Sequence, residues 1–202
     1  NYQQKNNFFD KFQKILLLYK DQIKHAFSNS EIFNFFRNDK KILLFLFHSQ
    51  IIEVDDSIIN IIFNDRYKKK FSYHLYFYPE IKSFVENPEI IEKELFEKDS
   101  KIFTIFEKRR NEGQNDSYLC ELIRNDSIAE FVSYTNQTNL PISTTTIKPS
   151  LFETNTFLLK NNDTTILQYA AFFGAIQIIQ YLKTIEIEIK PSIWPYAIHS
   201  KS

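Results

Sequence analysis

The stretch from Thr165 to Lys183 constrains this chain more than any other, because it contains Gly174, one of only two glycines in 202 residues. Leu167, Ala170 and Ala171 recur at helical spacing up to Gly174, and Ile176, Ile179 and Leu182 resume that spacing after it. The pattern predicts two short helices joined by a glycine turn. Ala170 and Ala171 let helix backbones approach closely, and the apolar residues after Gly174 give the second helix one greasy edge. Such a hairpin cannot bury its own face, and stacking on similar units is the physical remedy. The fold class that follows is all-α, built of stacked helical hairpins.

Hairpins of the same kind are expected on both sides. Asp116-Ser117 opens one, with Leu119, Leu122 and Ile123, then Asn125-Asp126 in place of the glycine, then Ile128, Phe131 and Tyr134. Laid on the later hairpin, Leu119 matches Leu167, Leu122 matches Ala170 and Phe131 matches Ile179. Residues 136–150 read as an extended loop holding Thr144, Thr145 and Thr146 between Pro141 and Pro149. Pro149-Ser150 is expected to begin a helix carrying Leu151, Phe152, Phe157, Leu158 and Leu159. The alternation from Ile185 to Lys190 reads as a short extended connector. Pro191 to His199 then resembles the first helix of a following hairpin, with Trp194 and Ala197 lying where Leu167 and Ala170 lie. Left as a half-repeat, it should expose Ile193, Trp194 and Ile198.

The amino-terminal half is also helical by pattern. From Asn7 to Phe27 apolar residues fall at Phe8, Phe12, Ile15, Leu16, Tyr19, Ile23 and Phe27, a one-faced period. Ser28 and Glu31 have the capping-box form for a helix over 29–37. Residues 39–52 are apolar nearly all round and read as an inner helix, and Asp55-Asp56-Ser57 offers an acidic start for 58–63. Pro79 and Pro88 sit where first-turn prolines are tolerated, with helices restarting at Glu80 and Glu89. Asp99-Ser100 opens 102–110, which Gly113 closes.

The residue order of the central hairpin resembles the ankyrin repeat: Thr165, Leu167, Ala170, Ala171, Gly174, Ile179 and Leu182 match, while Ile166 and Gln168 stand where the consensus has proline and histidine. Further motifs occur in order over about residues 107–202. They are Arg109 to Tyr118, Cys120 to Ser127, Phe152-Glu153-Thr154-Asn155, Tyr169 to Gly174, and Trp194-Pro195-Tyr196-Ala197-Ile198-His199. Together they resemble a large family of protist ankyrin-repeat proteins with a conserved domain of unknown function merging into the array. The resemblance implies an ankyrin-like solenoid of degenerate repeats over 114–202, truncated at the C-terminus, behind a divergent all-helical domain over 1–113. It implies an intracellular scaffold for protein partners, with no catalytic residue, cofactor or metal, and repeats continuing after Ser202. The absence of methionine, even at position 1, marks the chain as a fragment in this reading.

Residue chemistry adds no catalytic motif. Lys and Arg number 25 against 25 Asp and Glu, which removes the pull that nucleic-acid and membrane-surface binders use. Two separated glycines cannot form a dinucleotide or phosphate loop. His25, His48, His74 and His199 lack metal-ligand rhythm. Cys120, the one cysteine, excludes an intramolecular disulfide, fits a reducing compartment and, among Leu119, Leu122 and Ile123, reads as a buried thiol. No apolar run reaches a membrane span, so a monomeric cytoplasmic protein is the expectation. Arg66 to Lys70, followed by aromatics, has the composition of a single-strand nucleic-acid site, a reading disfavoured against a solvated helix face. The other alternative, an enzyme or ligand pocket in the amino-terminal helices supported by the hairpins, has no motif behind it. Tyr169, Phe172 and Phe173 are the candidate partner-binding residues, because bulky aromatics at that helix end could anchor a partner, although packing between hairpins would also use them.

Overall fold

The computed structural model describes residues 2–64, 72–161 and 163–200, with side chains from residue 9 to residue 199 outside the two gaps. Among the described residues all regular structure is helical, apart from one isolated antiparallel bridge between Thr146 and Thr165. The chain divides into two compact units. One comprises Asn6–Gln114 with Thr154–Thr156, and the other Asn115–Glu153 and Phe157–Ser202 with Asn1–Lys5.

The first unit holds α1 (Tyr2–Leu18, from Asn6 on), α2 (Lys20–Ala26), α3 (Asn29–Phe36), α4 (Lys40–His48), α5 (Asp56–Asn64), α6 (Tyr73–Tyr76), α7 (Tyr78–Ile81), α8 (Pro88–Lys98) and α9 (Ile102–Glu112). Its centre is aromatic. The Phe33 ring lies 5.7 Å from Tyr73 and 6.3 Å from both Phe47 and Phe77, with Phe47 and Phe77 5.3 Å apart. Each such ring taken out of water contributes roughly 2 kcal/mol. Several helix starts carry side-chain caps, whereas the expected start at Asp99-Ser100 does not act as one, since α9 begins after Lys101 without a side-chain cap. Ser28 and Glu31 form the reciprocal capping box, Asp39 accepts from the Ile42 N–H, and Asp55 from the Ile58 N–H at 3.0 Å.

One expectation here is corrected. The period over 7–27 does not make a single helix with one buried face, because α1 and α2 break at Tyr19. Among the described side chains of that apolar set Leu16 alone is fully buried, while Ile15, Tyr19 and Phe27 are more than half exposed. Apolar residues run consecutively from Ile15 to Tyr19, so they circle the helix, and only one edge of it meets a neighbour. The basic run Arg66 to Lys70 lies outside the described residues.

The second unit holds α10 (Tyr118–Arg124), α11 (Ile128–Gln137), α12 (Thr156–Lys160, from Phe157 on), α13 (Ile166–Phe173), α14 (Ile176–Thr184) and α15 (Trp194–Ser200). The central run is two helices broken at Gly174, whose φ of 69° is left-handed. The expected helix from Pro149 does not form until Thr156. Instead the Ser150 hydroxyl accepts from the Phe152 N–H at 3.0 Å and donates to Asp116 at 2.6 Å, a local side-chain alternative to helical bonding. Nor is the stretch from Ile185 extended throughout, since Ile185 and Glu186 form a turn. Trp194 and Ile198 are about two-thirds exposed as expected, but Ile193 is buried because a 3₁₀ turn over Pro191–Ile193 folds it into the core.

A single device ends five of these helices. At Gly174 the left-handed residue donates its N–H to Ala171 C=O, and the next N–H, of Ala175, reaches back to Ala170 C=O. That is a Schellman stop, which satisfies two orphan carbonyls. The same pair of bonds recurs at Gln50, Asp126, Asn139 and Glu186, with φ of 56°, 50°, 49° and 61°. Four residues with a Cβ thus hold a conformation that glycine adopts freely, each at a cost of about 1 kcal/mol. In the second unit the stops match by hairpin: Asp126 ends α10 as Gly174 ends α13, and Asn139 ends α11 as Glu186 ends α14.

Glu186 is exposed and uses its side chain for no bond, so Glu186→Gly should raise unfolding stability in urea by about 0.5–1 kcal/mol. An unchanged or lower midpoint would show that the left-handed backbone there carries no strain.

Candidate interaction surface

The two complete hairpins of the second unit pack in the same sense. α10 lies against α13, α11 against α14, and α15 against the free side of α13. Leu122, Ile123 and Phe131 of one hairpin share a core with Ala170, Ile178 and Leu182 of the next. Polar bonds tie neighbouring helical elements of this unit together at both ends of α13. Thr165 and Gln168 form a capping box, and the Gln168 amide lies 3.4 Å from the Ser192 hydroxyl ahead of α15. Gln168, standing where the ankyrin consensus has histidine, therefore caps its own helix and reaches the next element.

The strongest link is Asp126. α14 starts after Ala175, which has no side-chain oxygen with which to cap it. The Asp126 carboxylate supplies the cap from the preceding hairpin, with Oδ2 accepting from the Gln177 N–H at 2.9 Å and Oδ1 from the Ile178 N–H at 3.0 Å. A carboxylate on two orphan amides at a helix N-terminus is a charge-assisted, dipole-complementing contact. Sequence reasoning placed Asp126 at the glycine position and missed this second role. The signal was present in the capless start of α14.

Several residues of the 109–127 and 152–155 motifs converge, with Tyr169, on a buried polar network. Asn115 is 3 % exposed and Glu153 is 6 %. The Asn115 N–H donates to Glu153 at 3.2 Å, and its amide donates to Lys148 C=O at 2.8 Å. Arg124 Nη1 donates to Asn115 C=O at 2.6 Å and to the Tyr169 hydroxyl at 3.0 Å. Cys120 sits in the same network. Burial pushes its thiol above the ordinary 9.0, against weaker opposing hydrogen bonds from Ser117 and Tyr169. Burial likewise pushes the Tyr169 phenol far up. Both groups are held protonated, and the network binds the 147–153 segment to α10 and α13.

These placements sort the three candidate partner-binding residues. Tyr169 is 1 % exposed and bonded to Arg124, and Phe172 is 7 % exposed, stacked 5.9 Å from Phe157 and 5.6 Å from His199. Both are core, because their helix is covered on one side by α10 and on the other by α15. Phe173 alone is half-buried, with its ring 4.7 Å from Tyr169 and 6.0 Å from the Arg124 guanidinium. Of the three, it is the one that offers a partner substantial area.

At the other end of α13 lies a groove of about 130 Å³ lined by Leu167, Leu182, Ile187 and Ile193 with a rim including Ser143, Gln168, Glu188, Lys190 and Ser192. Elsewhere, a charged cluster in the first unit centres on Arg110. Arg110, 3 % exposed, donates to Glu80 at 2.7 Å and to Glu107 at 2.9 and 3.1 Å, and His48 approaches the other Glu80 oxygen at 3.4 Å. Burial opposes the Arg110 charge, but those carboxylates outweigh it and raise its pKa. Among the described residues no group of His, Cys, Asp and Glu is arranged to hold a metal ion, and no helix is long and apolar enough to cross a membrane. Compared with family models, curated proteins and solved structures, the chain finds no match.

Asp126→Ala removes both amide bonds and leaves a strained left-handed alanine, so it should cost about 2–3 kcal/mol in urea unfolding, whereas Asp126→Asn keeps an acceptor and should cost under about 1. Equal losses would remove the capping role. For Cys120, the raised thiol pKa means the folded state disfavours the thiolate. Its stabilising effect is full below the unfolded thiol pKa and fades as pH rises past it. The thiol should therefore react with dithiobisnitrobenzoate at about pH 8 only as fast as the protein unfolds, and at once in denaturant. Immediate reaction of the folded protein would contradict the burial.

Proposed function

We propose that this chain is a non-enzymatic scaffold for protein partners, an ankyrin-type solenoid of degenerate repeats working as a cytoplasmic monomer, with a divergent helical domain at its amino-terminal side. The observation that carries the reading is the same-sense packing of two hairpins that start on Ser117 and Thr165, stop on Asp126 and Gly174, and are joined through the Asp126 cap. Repetition of one supersecondary unit yields an extended surface with a regular face, and recognition by such surfaces needs no reacting group. The network around Cys120 supports the same reading, since burial holds the Cys120 thiol and the Tyr169 phenol protonated and enclosed. The partner-facing side is the one formed by the first helices and the loops before them, from Ser143 past Gln168 to Phe173.

Site-directed photo-crosslinking in cells tests it. A photoreactive phenylalanine analogue at Ser143, Phe173 or Ser192 should yield discrete protein adducts, and the same group at Gln180, exposed on the outer helix α14, should yield none. Adducts from Gln180 alone, or from no position, would contradict the proposal.

A further inference from the structure

We propose that the groove at the amino-terminal end of α13 seats an extended peptide through one aliphatic side chain. This rests on the scaffold reading above and names the partner class for one part of that surface. The first observation is size. At about 130 Å³ the groove falls well below the roughly 300–1,000 Å³ of sites that engulf cofactors or drug-sized ligands. It has room for a single side chain, with the rest of the ligand lying outside.

The second observation is the floor. Leu167, Leu182 and Ile193 are under 9 % exposed and Ile187 is half-buried, so the base is aliphatic and closely packed, with no charged group in it. That favours a leucine, isoleucine or valine anchor. The rim is polar: Ser143, Gln168 and Ser192 can donate and accept, and the one acid and one base there, Glu188 and Lys190, lie 3.5 Å apart and neutralise each other. The rim therefore selects no charge, and the anchor sets the preference.

The third observation concerns backbone. Glu188, Ile189 and Lys190 follow the turn at Glu186 without helix or strand, and among the described residues their N–H groups donate no hydrogen bond. Lys190 has φ −86° and ψ 154°, an extended conformation. Ile189 is 48 % exposed beside them. Free backbone, extended at Lys190, next to an apolar seat can pair with an added peptide, with main-chain bonds supplying affinity and the seated side chain supplying choice. Within this rim, Glu188 and Lys190 line the groove directly.

The test selects displayed random peptides on the folded full chain and titrates a labelled synthetic copy of the enriched sequence against variants by fluorescence anisotropy. Ser192→Trp and Ser143→Trp place bulk on exposed rim positions without opening the core, and circular dichroism confirms that they fold. The expected result is an enriched aliphatic position whose change to alanine weakens binding at least about tenfold, a similar loss with Ser192→Trp, and less than about twofold change with Phe173→Ala. Peptides that bind Ser192→Trp and Ser143→Trp as they bind the wild type would overturn the groove assignment. Failure to enrich any peptide would overturn the peptide class. Either failure, with adducts still forming at Phe173, would leave the scaffold reading standing.

Discussion

Two backbone amides at the start of α14 have no partner within their own hairpin, and the carboxylate of Asp126 answers them from the hairpin before. Much of the second unit depends on that contact. Asp126 must occupy a left-handed position to end α10, and in doing so its side chain points along the stack toward the next helix. One residue stops a helix, starts another and sets the register between them. Apolar packing of Phe131, Ile178 and Leu182 supplies most of the free energy, yet it is non-directional. The paired amide bonds are what make one sliding position of α14 better than its neighbours.

A second set of directional bonds fixes the segment between the hairpins. Asn115, Arg124, Glu153 and Tyr169 are polar groups that would each cost a few kcal/mol if buried alone. Bonded to one another and to backbone carbonyls, they hold an irregular stretch in place where no helix or sheet ladder exists. Their role here is to position α10 and the loop before α13, which leaves the outward face free to vary. A surface held this way suits recognition, because its rigid parts and its exposed parts are different residues.

How far the sequence disclosed this differs from place to place. Helix starts were readable, since Ser28, Asp39, Asp55, Ser117 and Thr165 each carry a side-chain oxygen at the right offset from an amide. Helix stops were readable only at Gly113 and Gly174 and, by analogy, at Asp126. At Gln50 and Glu186 the left-handed turn is made by residues that more often sit in helices, and nothing local marks them, whereas Asn139, with Pro141 two residues on, carried a stop signal that went unread. The aromatic pair Phe172-Phe173 was ambiguous because burial depends on what packs against α13 from both sides, which is tertiary information. The groove was invisible for the same reason: Ser143, Gln168 and Ser192 are far apart in sequence and meet only when α15 docks. The break at Tyr19 was invisible because neither glycine nor proline marks it.

An array of hairpins that lean on one another should open as a unit, and one that merely touches should open piece by piece. Native-state hydrogen exchange at the Gln177 and Ile178 amides separates the two directly, because first-turn amides of an uncapped helix exchange freely. The account predicts that both amides are protected with the same opening free energy as core amides of α10, such as that of Ile123. Rapid exchange at Gln177 and Ile178, while Ile123 stays protected, would contradict it and would mean that the second hairpin opens alone.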